Sequence, residues 1–223
     1  MEDAKLREIL ERFVKDLTAL LSTIKEDVPV ITPAIDLPTF FNGVRPMFGR
    51  LQAKQVSGME AKIKAFKKAG LPLSHAAYAM ATSYHETAKR MQPVKEGLSL
   101  SDAWRKKNLR YYPWYGRGDV QLTWEENYIK ADKKLGLGGS LISNLDLALD
   151  PDISAEIMTK GMIEGWFSGD KRGRHTMVRH MPNAEASFSQ FKSSRRIINI
   201  MDKAELIAGY AINFQSALKK AGY

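Results

Sequence analysis

Two glutamates ten positions apart, Glu86 and Glu96, are the residues of this 223-residue chain whose type and spacing best suit bond-breaking chemistry. Cleavage of a glycosidic bond requires one carboxyl group that protonates the leaving oxygen and a second that activates water or attacks the sugar. Each glutamate alone has a plainer interpretation. Glu86 could pair with Arg90 one helical turn later, and Glu96 could be a solvated loop residue. The pair together indicates a two-carboxylate site.

The sequence before Glu86 predicts a buried helix over residues 73–89, because small and apolar residues occur on all of its faces. Glu86 would then lie in the last helical turn, where the negative end of the helix dipole and partial burial both favour a protonated carboxyl group. A general acid that works near neutral pH needs its protonated form to be favoured in this way. Glu96 follows Gln92 and Pro93, so we expect it in a loop that leaves the helix.

An aromatic and glycine-rich segment over residues 111–123 follows the two acids. Aromatic rings can stack on sugar faces, and glycines allow the backbone to approach a ligand closely. The alternative is an aromatic core cluster beside a turn, with polar residues that serve only a strand pair. The residues in question are Tyr111, Tyr112, Trp114, Tyr115, Gly116, Arg117, Gly118, Gln121 and Thr123.

A metal site is not expected. His85 and Glu86 begin a metalloprotease-like pattern, but position 89 holds Lys where the second His would be needed. His175 and His180 are five residues apart, an awkward spacing for one helix face, and the chain has no cysteine. We therefore expect neither a metal nor another cofactor, and no disulfide or thiol chemistry.

Periodicity elsewhere predicts a mainly helical domain. Helices are expected over residues 52–68, from the Asp150-Pro151 cap through Trp166, and from an Asp202 cap to Gly222. Only residues 119–122 and their surroundings are expected to be extended.

Residues 1–36 differ from the rest of the chain. An amphipathic helix is predicted from residue 6 to 24, followed by a proline-rich linker, and the main domain is expected over residues 37–223. The first 36 residues contain five Lys/Arg and eight Asp/Glu, whereas the whole chain has a net charge of +9. A basic main domain favours an anionic partner, although like charge can also simply keep a surface soluble.

Several segments together resemble glycoside hydrolase family 19, specifically chitinase-like lysins of phages and prophages, and they cover about 38–223. The segments His85-Glu86-Thr87 and Tyr-Gly-Arg-Gly-x-x-Gln-Leu-Thr over 115–123 are the most specific. The others are residues 40–46, 79–84, 91–93, 127–128, 195–199 and 207–211.

The resemblance implies a mainly α, lysozyme-like or chitinase-like fold with a small β-hairpin region, and an inverting attack on a β-1,4 bond beside an N-acetylated sugar. It implies Glu86 as general acid, Glu96 as general base and Thr123 as the group that holds the water. The gap between the acids is shorter than in plant chitinases, so Asp102 and Asp119 are alternatives to Glu96. The expected substrate-binding residues are His85, Tyr115, Arg117, Gln121, Asn127, Arg196 and Asn199.

The function expected from these observations is that of a phage endolysin, a muramidase that cuts peptidoglycan between N-acetylmuramic acid and N-acetylglucosamine. The first residues do not resemble a secretory signal, and no apolar run approaches the ~20 residues of a membrane span. We therefore expect synthesis in the host cytoplasm, release through a holin-type pore and action in the periplasm or cell wall. A monomer without stable membrane insertion or nucleic-acid binding is expected.

Three other activities are compatible with these residues. A chitinase would use the same scaffold on a different glycan, and a lytic transglycosylase would need only one acid. A binding module without turnover would use the basic surface to hold an anionic wall polymer. The N-terminal helix could pack on a partner or mediate self-association.

Overall fold

The computed structural model describes residues 10–18 and 35–223. The contacts between residues divide the chain into two compact units, Met1–Ala34 and Ile35–Tyr223. In the first, residues 10–18 form a helix, α1, with apolar residues at the predicted spacing. The remainder of the predicted N-terminal helix and most of the linker lie outside the described residues.

The second unit is mainly helical, with two small antiparallel strand pairs. Its helices are α2 Leu37–Phe48, α3 Ala53–Lys68, α4 Leu73–Glu86, α5 Asp102–Asn108, α6 Glu125–Leu135, α7 Ser140–Ser143, α8 Pro151–Glu164, α9 Met177–His180, α10 Phe188–Ser194 and α11 Ala204–Lys220, with 3-10 turns at Leu145–Leu149 and Arg195–Ile197. Its strands are β1 Val94–Lys95, β2 Arg117–Gly118, β3 Gly169–Asp170 and β4 Gly173–Arg174. β1 pairs with β2, and β3 with β4.

The centre of this unit is α4, which is buried along almost its whole length. α11 packs against α4, α2 and α10, and α3 packs against α8. Tyr84 of α4 contacts Phe48, Tyr210 and Phe214 edge to face, with ring centroids 4.8, 4.8 and 6.0 Å apart. Such aromatic contacts fix the last turn of α4, which carries Glu86.

Three sequence expectations about these elements need correction. α4 ends at Glu86 rather than Lys89, because Ala88, Lys89 and Met91 adopt positive φ angles that a helix cannot continue through. Residues 119–122 form the turn of a hairpin that Arg117 and Leu122 close, not an extended segment. The cap of α11 is Lys203 rather than Asp202.

Candidate active site

Glu86 is the last residue of α4, and its side chain is 19% exposed. Nη1 of Arg195 donates to its Oε1 at 2.7 Å, and Arg195 itself is only 2% exposed. Nε of Arg195 donates to the backbone carbonyl of Asp202 at 2.9 Å. The partner of Glu86 is therefore a buried arginine from a distant part of the chain rather than Arg90.

Arg195 is a site residue that the sequence reasoning missed, since it singled out the neighbouring Arg196. Arg196 is exposed, whereas Arg195 is buried at the start of the 3-10 turn after α10. The sequence contains a pattern that could have identified Arg195. Phe191, Ser194 and Arg195 have the i, i+3, i+4 spacing of one helix face, and all three are buried.

The loop that leaves Glu86 is held tightly against α3. Thr87 accepts from the Met91 amide through its hydroxyl at 3.0 Å, and Nζ of Lys62 donates to the Met91 carbonyl at 3.0 Å. A side chain at Gly58 of α3 would collide with that carbonyl, so glycine permits the close approach. The segment from Glu86 to β1 is thus fixed by its contacts.

Glu96 directly follows β1 and is half-buried. Its Oε1 accepts from the Tyr111 hydroxyl at 2.6 Å and its Oε2 from the Gly116 amide at 2.9 Å. Arg105 donates to the backbone carbonyls of Glu96 and Gly97 at 2.9 and 3.1 Å. These contacts hold the carboxylate in one orientation and leave it lone pairs that can still accept from water.

The hydrogen bond to Glu96 also affects Tyr111. Because the phenol donates to a carboxylate and is partly buried, the pKa of Tyr111 rises to about 12. Tyr111 therefore remains a donor to Glu96 throughout the neutral and mildly alkaline range.

Asp119 joins the two glutamate-bearing regions. It is fully buried, with Nζ of Lys62 2.8 Å from its Oδ1. Ser83, one helical turn before Glu86, also donates to Oδ1 at 2.7 Å, and Ser154 donates to Oδ2 at 2.7 Å. Since Asp119 directly follows β2, this cluster attaches the β1–β2 pair, after whose first strand Glu96 lies, to α4. The burial of Asp119 argues against it as the second catalytic acid.

Asp102, the other alternative, begins α5 and is exposed. The hydroxyls of Tyr112 and Tyr115 donate to it at 2.8 and 3.1 Å. The hydrogen bond from Tyr112 is the main cause that lowers the pKa of Asp102. Desolvation opposes it, and the hydrogen bond from Tyr115 adds to it.

Gln121, Thr123 and Asn127 lie together at the turn of the hairpin and the start of α6. The Thr123 hydroxyl donates to the Gln121 carbonyl at 2.7 Å, and the Asn127 amide donates to the Thr123 carbonyl at 2.9 Å. A Cβ added at Gly116 would lie 2.8 Å from Oε1 of Gln121 and 3.3 Å from Oε2 of Glu96, so these side chains converge. The predicted base, which follows β1, thus lies close to Gln121 in the hairpin turn, two residues before its predicted water-holding partner Thr123.

A cavity of about 230 Å³ opens beside this group. Thr123, Trp124 and Asn127 line one side of it, and Phe167 and Ile198 line another. Ile198 belongs to the segment that supplies Arg195, so the cavity brings the Thr123 side of the site next to the segment that holds Glu86.

Tyr115 and Arg117 are both buried and committed to contacts within the protein. Arg117 forms an ion pair with Asp146 at 2.8 Å, and its guanidinium lies 3.6 Å from the ring centroid of Tyr115. Their observed role is to hold the hairpin. Direct substrate contact by either remains a prediction, and their burial argues against it.

Two further predicted binding residues, His85 and Asn199, belong to the segments that carry Glu86 and Arg195 respectively. His85 is half-buried next to Glu86, and desolvation, with the charge of Glu86 opposing, lowers the pKa of His85. Asn199 is exposed, and its Oδ1 accepts from the Ile200 amide at 2.7 Å. Their contact with substrate likewise remains a prediction, as does that of Arg196.

A chain of histidines supports the Arg195 segment. Nδ1 of His175 lies 3.0 Å from Nε2 of His180, and Nδ1 of His180 lies 3.0 Å from the Ser193 hydroxyl, two residues before Arg195. Burial, followed by the charges of His175, Arg179 and Arg196, lowers the pKa of His180 to about 4.

Within residues 10–18 and 35–223, no group of three or more histidine or acidic side chains is arranged to hold a metal ion. In the same part of the chain, no helix combines the length and apolar character needed to cross a membrane.

The structure is similar to that of chitinase C from Streptomyces griseus HUT6037, with a TM-score of 0.55 over 80% of this chain and 75% of that chain at 20% identity. A glutamate-to-glutamine variant of chitinase C matches with a TM-score of 0.51 and 18% identity, covering 87% and 96% of the two chains. The chain has the fold of a chitinase. The predicted family 19 chitinase-like fold is therefore confirmed.

The similarity to two plant endochitinases covers a short segment. Over 42 residues the chain is 50% identical to the acidic 26 kDa endochitinase of Solanum lycopersicum, and equally to the acidic endochitinase pcht28 of Solanum chilense. The match spans 18% of this chain and only 17% of either plant protein. No family model matches the chain.

Proposed function

We propose that the chain is a glycoside hydrolase that cleaves the β-1,4 bond between N-acetylmuramic acid and N-acetylglucosamine in peptidoglycan, as an endolysin. The observation that carries the proposal is the pair of carboxylates on a chitinase-like fold. Glu86 ends a buried helix. Glu96 follows β1, and the strand that pairs with β1, β2, is anchored to the same helix through Asp119.

In this proposal Glu86 protonates the leaving glycosidic oxygen. Only Oε1 is bound to Arg195, and among the described residues no donor binds Oε2, so that oxygen can face the substrate. Arg195 positions the carboxyl group and stabilises the anion that remains after proton transfer.

Glu96 acts as the base that takes a proton from the attacking water. Its two hydrogen bonds fix its position without neutralising its charge, because Tyr111 and the Gly116 amide are uncharged donors. The Thr123 hydroxyl, whose own proton is directed to the Gln121 carbonyl, can accept a hydrogen from the same water. Water would attack the face of the sugar opposite Glu86, with inversion at the anomeric carbon.

Charge favours peptidoglycan over chitin as the substrate. Peptidoglycan carries carboxylates on its muramic acid and peptides, and this chain has a net charge of +9. An endolysin would be made in the host cytoplasm, reach the wall through a holin-type pore and act there as a monomer.

Product analysis by mass spectrometry tests the proposal. Purified peptidoglycan is digested with the wild type, with Glu86→Gln and with a matched control, Glu60→Gln, which changes an exposed glutamate of α3. We expect hydrated fragments ending in reducing muramic acid from the wild type and the control only. Anhydro products would instead identify a transglycosylase.

A chitinase is the second candidate, because the same fold occurs in a chitinase. Cleavage of soluble chitin oligomers without release of muropeptides would establish it. Binding to cell wall without cleavage of either glycan would leave a binding module.

A further inference from the structure

Three residues form an aromatic and cationic stack beside Glu96. The rings of Tyr111 and Trp124 lie with centroids 5.0 Å apart, and the guanidinium of Arg110 lies 5.4 Å from the centroid of Trp124. The Tyr111 hydroxyl at the other end of the stack is the donor to Glu96. The stack therefore connects an exposed surface directly to one of the two proposed catalytic carboxylates.

Trp124 is presented to solvent by an unusual backbone. It is 40% exposed and has a φ angle of +74°, a conformation that costs free energy in a bulky residue. Its amide is fixed to the Trp114 carbonyl at 2.9 Å, and it caps the start of α6. The ring is thus held in place next to the cavity that Thr123 also lines.

Arg110 is exposed, and no carboxylate of the described residues forms an ion pair with it. Lys106 and Lys107 of α5 add exposed positive charge close to it in the chain. The exposed acids nearest to Trp124 in the chain are Glu125 and Glu126, and neither pairs with Arg110. Arg110 therefore has hydrogen-bond donors available for an external anion.

We propose that Arg110 and Trp124 form a subsite for a carboxylate-bearing sugar of the glycan, an inference that rests on the proposed function. The Trp124 ring would pack on the apolar face of the sugar, and the guanidinium would pair with a lactyl or peptide carboxylate. Chitin, which lacks carboxylates, could use only the ring. Arg110 would then determine selectivity for peptidoglycan over neutral glycans.

The test compares glycan strands bearing free carboxylates with the same strands after amidation of those carboxylates. Arg110→Gln should lower kcat/KM on the free-carboxylate strands about tenfold, mainly through KM, with little change on amidated strands. Lys107→Gln removes an equal charge from an exposed position nearby and should leave both values unchanged. Trp124→Ala, with its fold checked by circular dichroism, should lower both values.

Binding is measured in parallel by calorimetry with the same strands and variants. If Arg110→Gln changed both substrates equally, or Lys107→Gln reproduced its effect, the subsite assignment would be overturned. If the wild type cleaved neither strand, the proposed function would fail. A preference for free carboxylates in binding that Arg110→Gln abolishes would still support the subsite, and no such preference would refute it.

Discussion

The two proposed catalytic carboxylates are held by opposite means. Glu86 ends the most buried helix and contacts a buried arginine recruited from more than a hundred residues away. Glu96 directly follows the short strand β1 and is held by two uncharged donors, Tyr111 and the Gly116 amide. A charged partner stabilises the anion left when an acid gives up its proton, whereas neutral donors orient a base and leave its charge in place. The contrast matches the two roles that an inverting hydrolase requires.

Replacing Arg195, the charged partner of Glu86, should have the largest effect on activity. Arg195→Met removes the group that positions Glu86, and we expect kcat to fall about 100-fold, since small displacements of a catalytic group can have effects of this size. Arg50→Met, which changes an exposed arginine that the site does not use, is the control, and equal effects of both would contradict the assignment to Arg195.

The buried ion pair between Lys62 and Asp119, which links the regions that carry Glu86 and Glu96, should have the largest effect on stability. Lys62→Met leaves the Asp119 carboxylate buried without its cation, and we expect a loss of about 3–5 kcal/mol in the free energy of unfolding by urea denaturation. Adding Asp119→Asn removes the uncompensated charge and should recover part of that loss. A double variant no more stable than Lys62→Met would mean that the charge is not the cause.

Loss of a neutral donor should have a smaller effect. Tyr111→Phe removes one hydrogen bond to Glu96 but keeps the ring stacked on Trp124, so we expect kcat to fall about tenfold. Stability should change little. Steady-state kinetics on peptidoglycan would check this, and a loss as large as that of Arg195→Met would remove the contrast between the two carboxylates.

The smallest expected effect is on the pH dependence of stability near the Arg195 segment. The pKa of His180 is about 4 in the folded chain, below its ordinary 6.5, so the unfolded chain takes up a proton first as pH falls. Stability is therefore lost between about pH 6.5 and pH 4. His180→Gln should reduce that loss by about 1 kcal/mol after allowance for solvent screening, as measured by denaturation at pH 7 and pH 4.5. An unchanged pH dependence would contradict this.

Patterns local in sequence predicted much of this molecule. The buried character of α4, the Asp150 cap and the start of α3 follow from spacing and side-chain type alone. Arg195 was missed because its partner is distant in sequence, and an adjacent arginine is identical in type. Tyr115 was predicted to bind substrate, with an aromatic core cluster as the alternative, and it is buried, because Arg117 and Asp102 supply polar contacts that composition cannot reveal.

The positive φ angles of Ala88 and Lys89 have a consequence for protein engineering. Glycine adopts such angles without strain, so glycine at either position could raise heat resistance if the relief exceeds the added flexibility of the unfolded chain. Both residues lie between the two carboxylates in sequence. The activity of a more heat-resistant variant obtained this way would therefore show whether catalysis depends on the stiffness of the segment between Glu86 and Glu96.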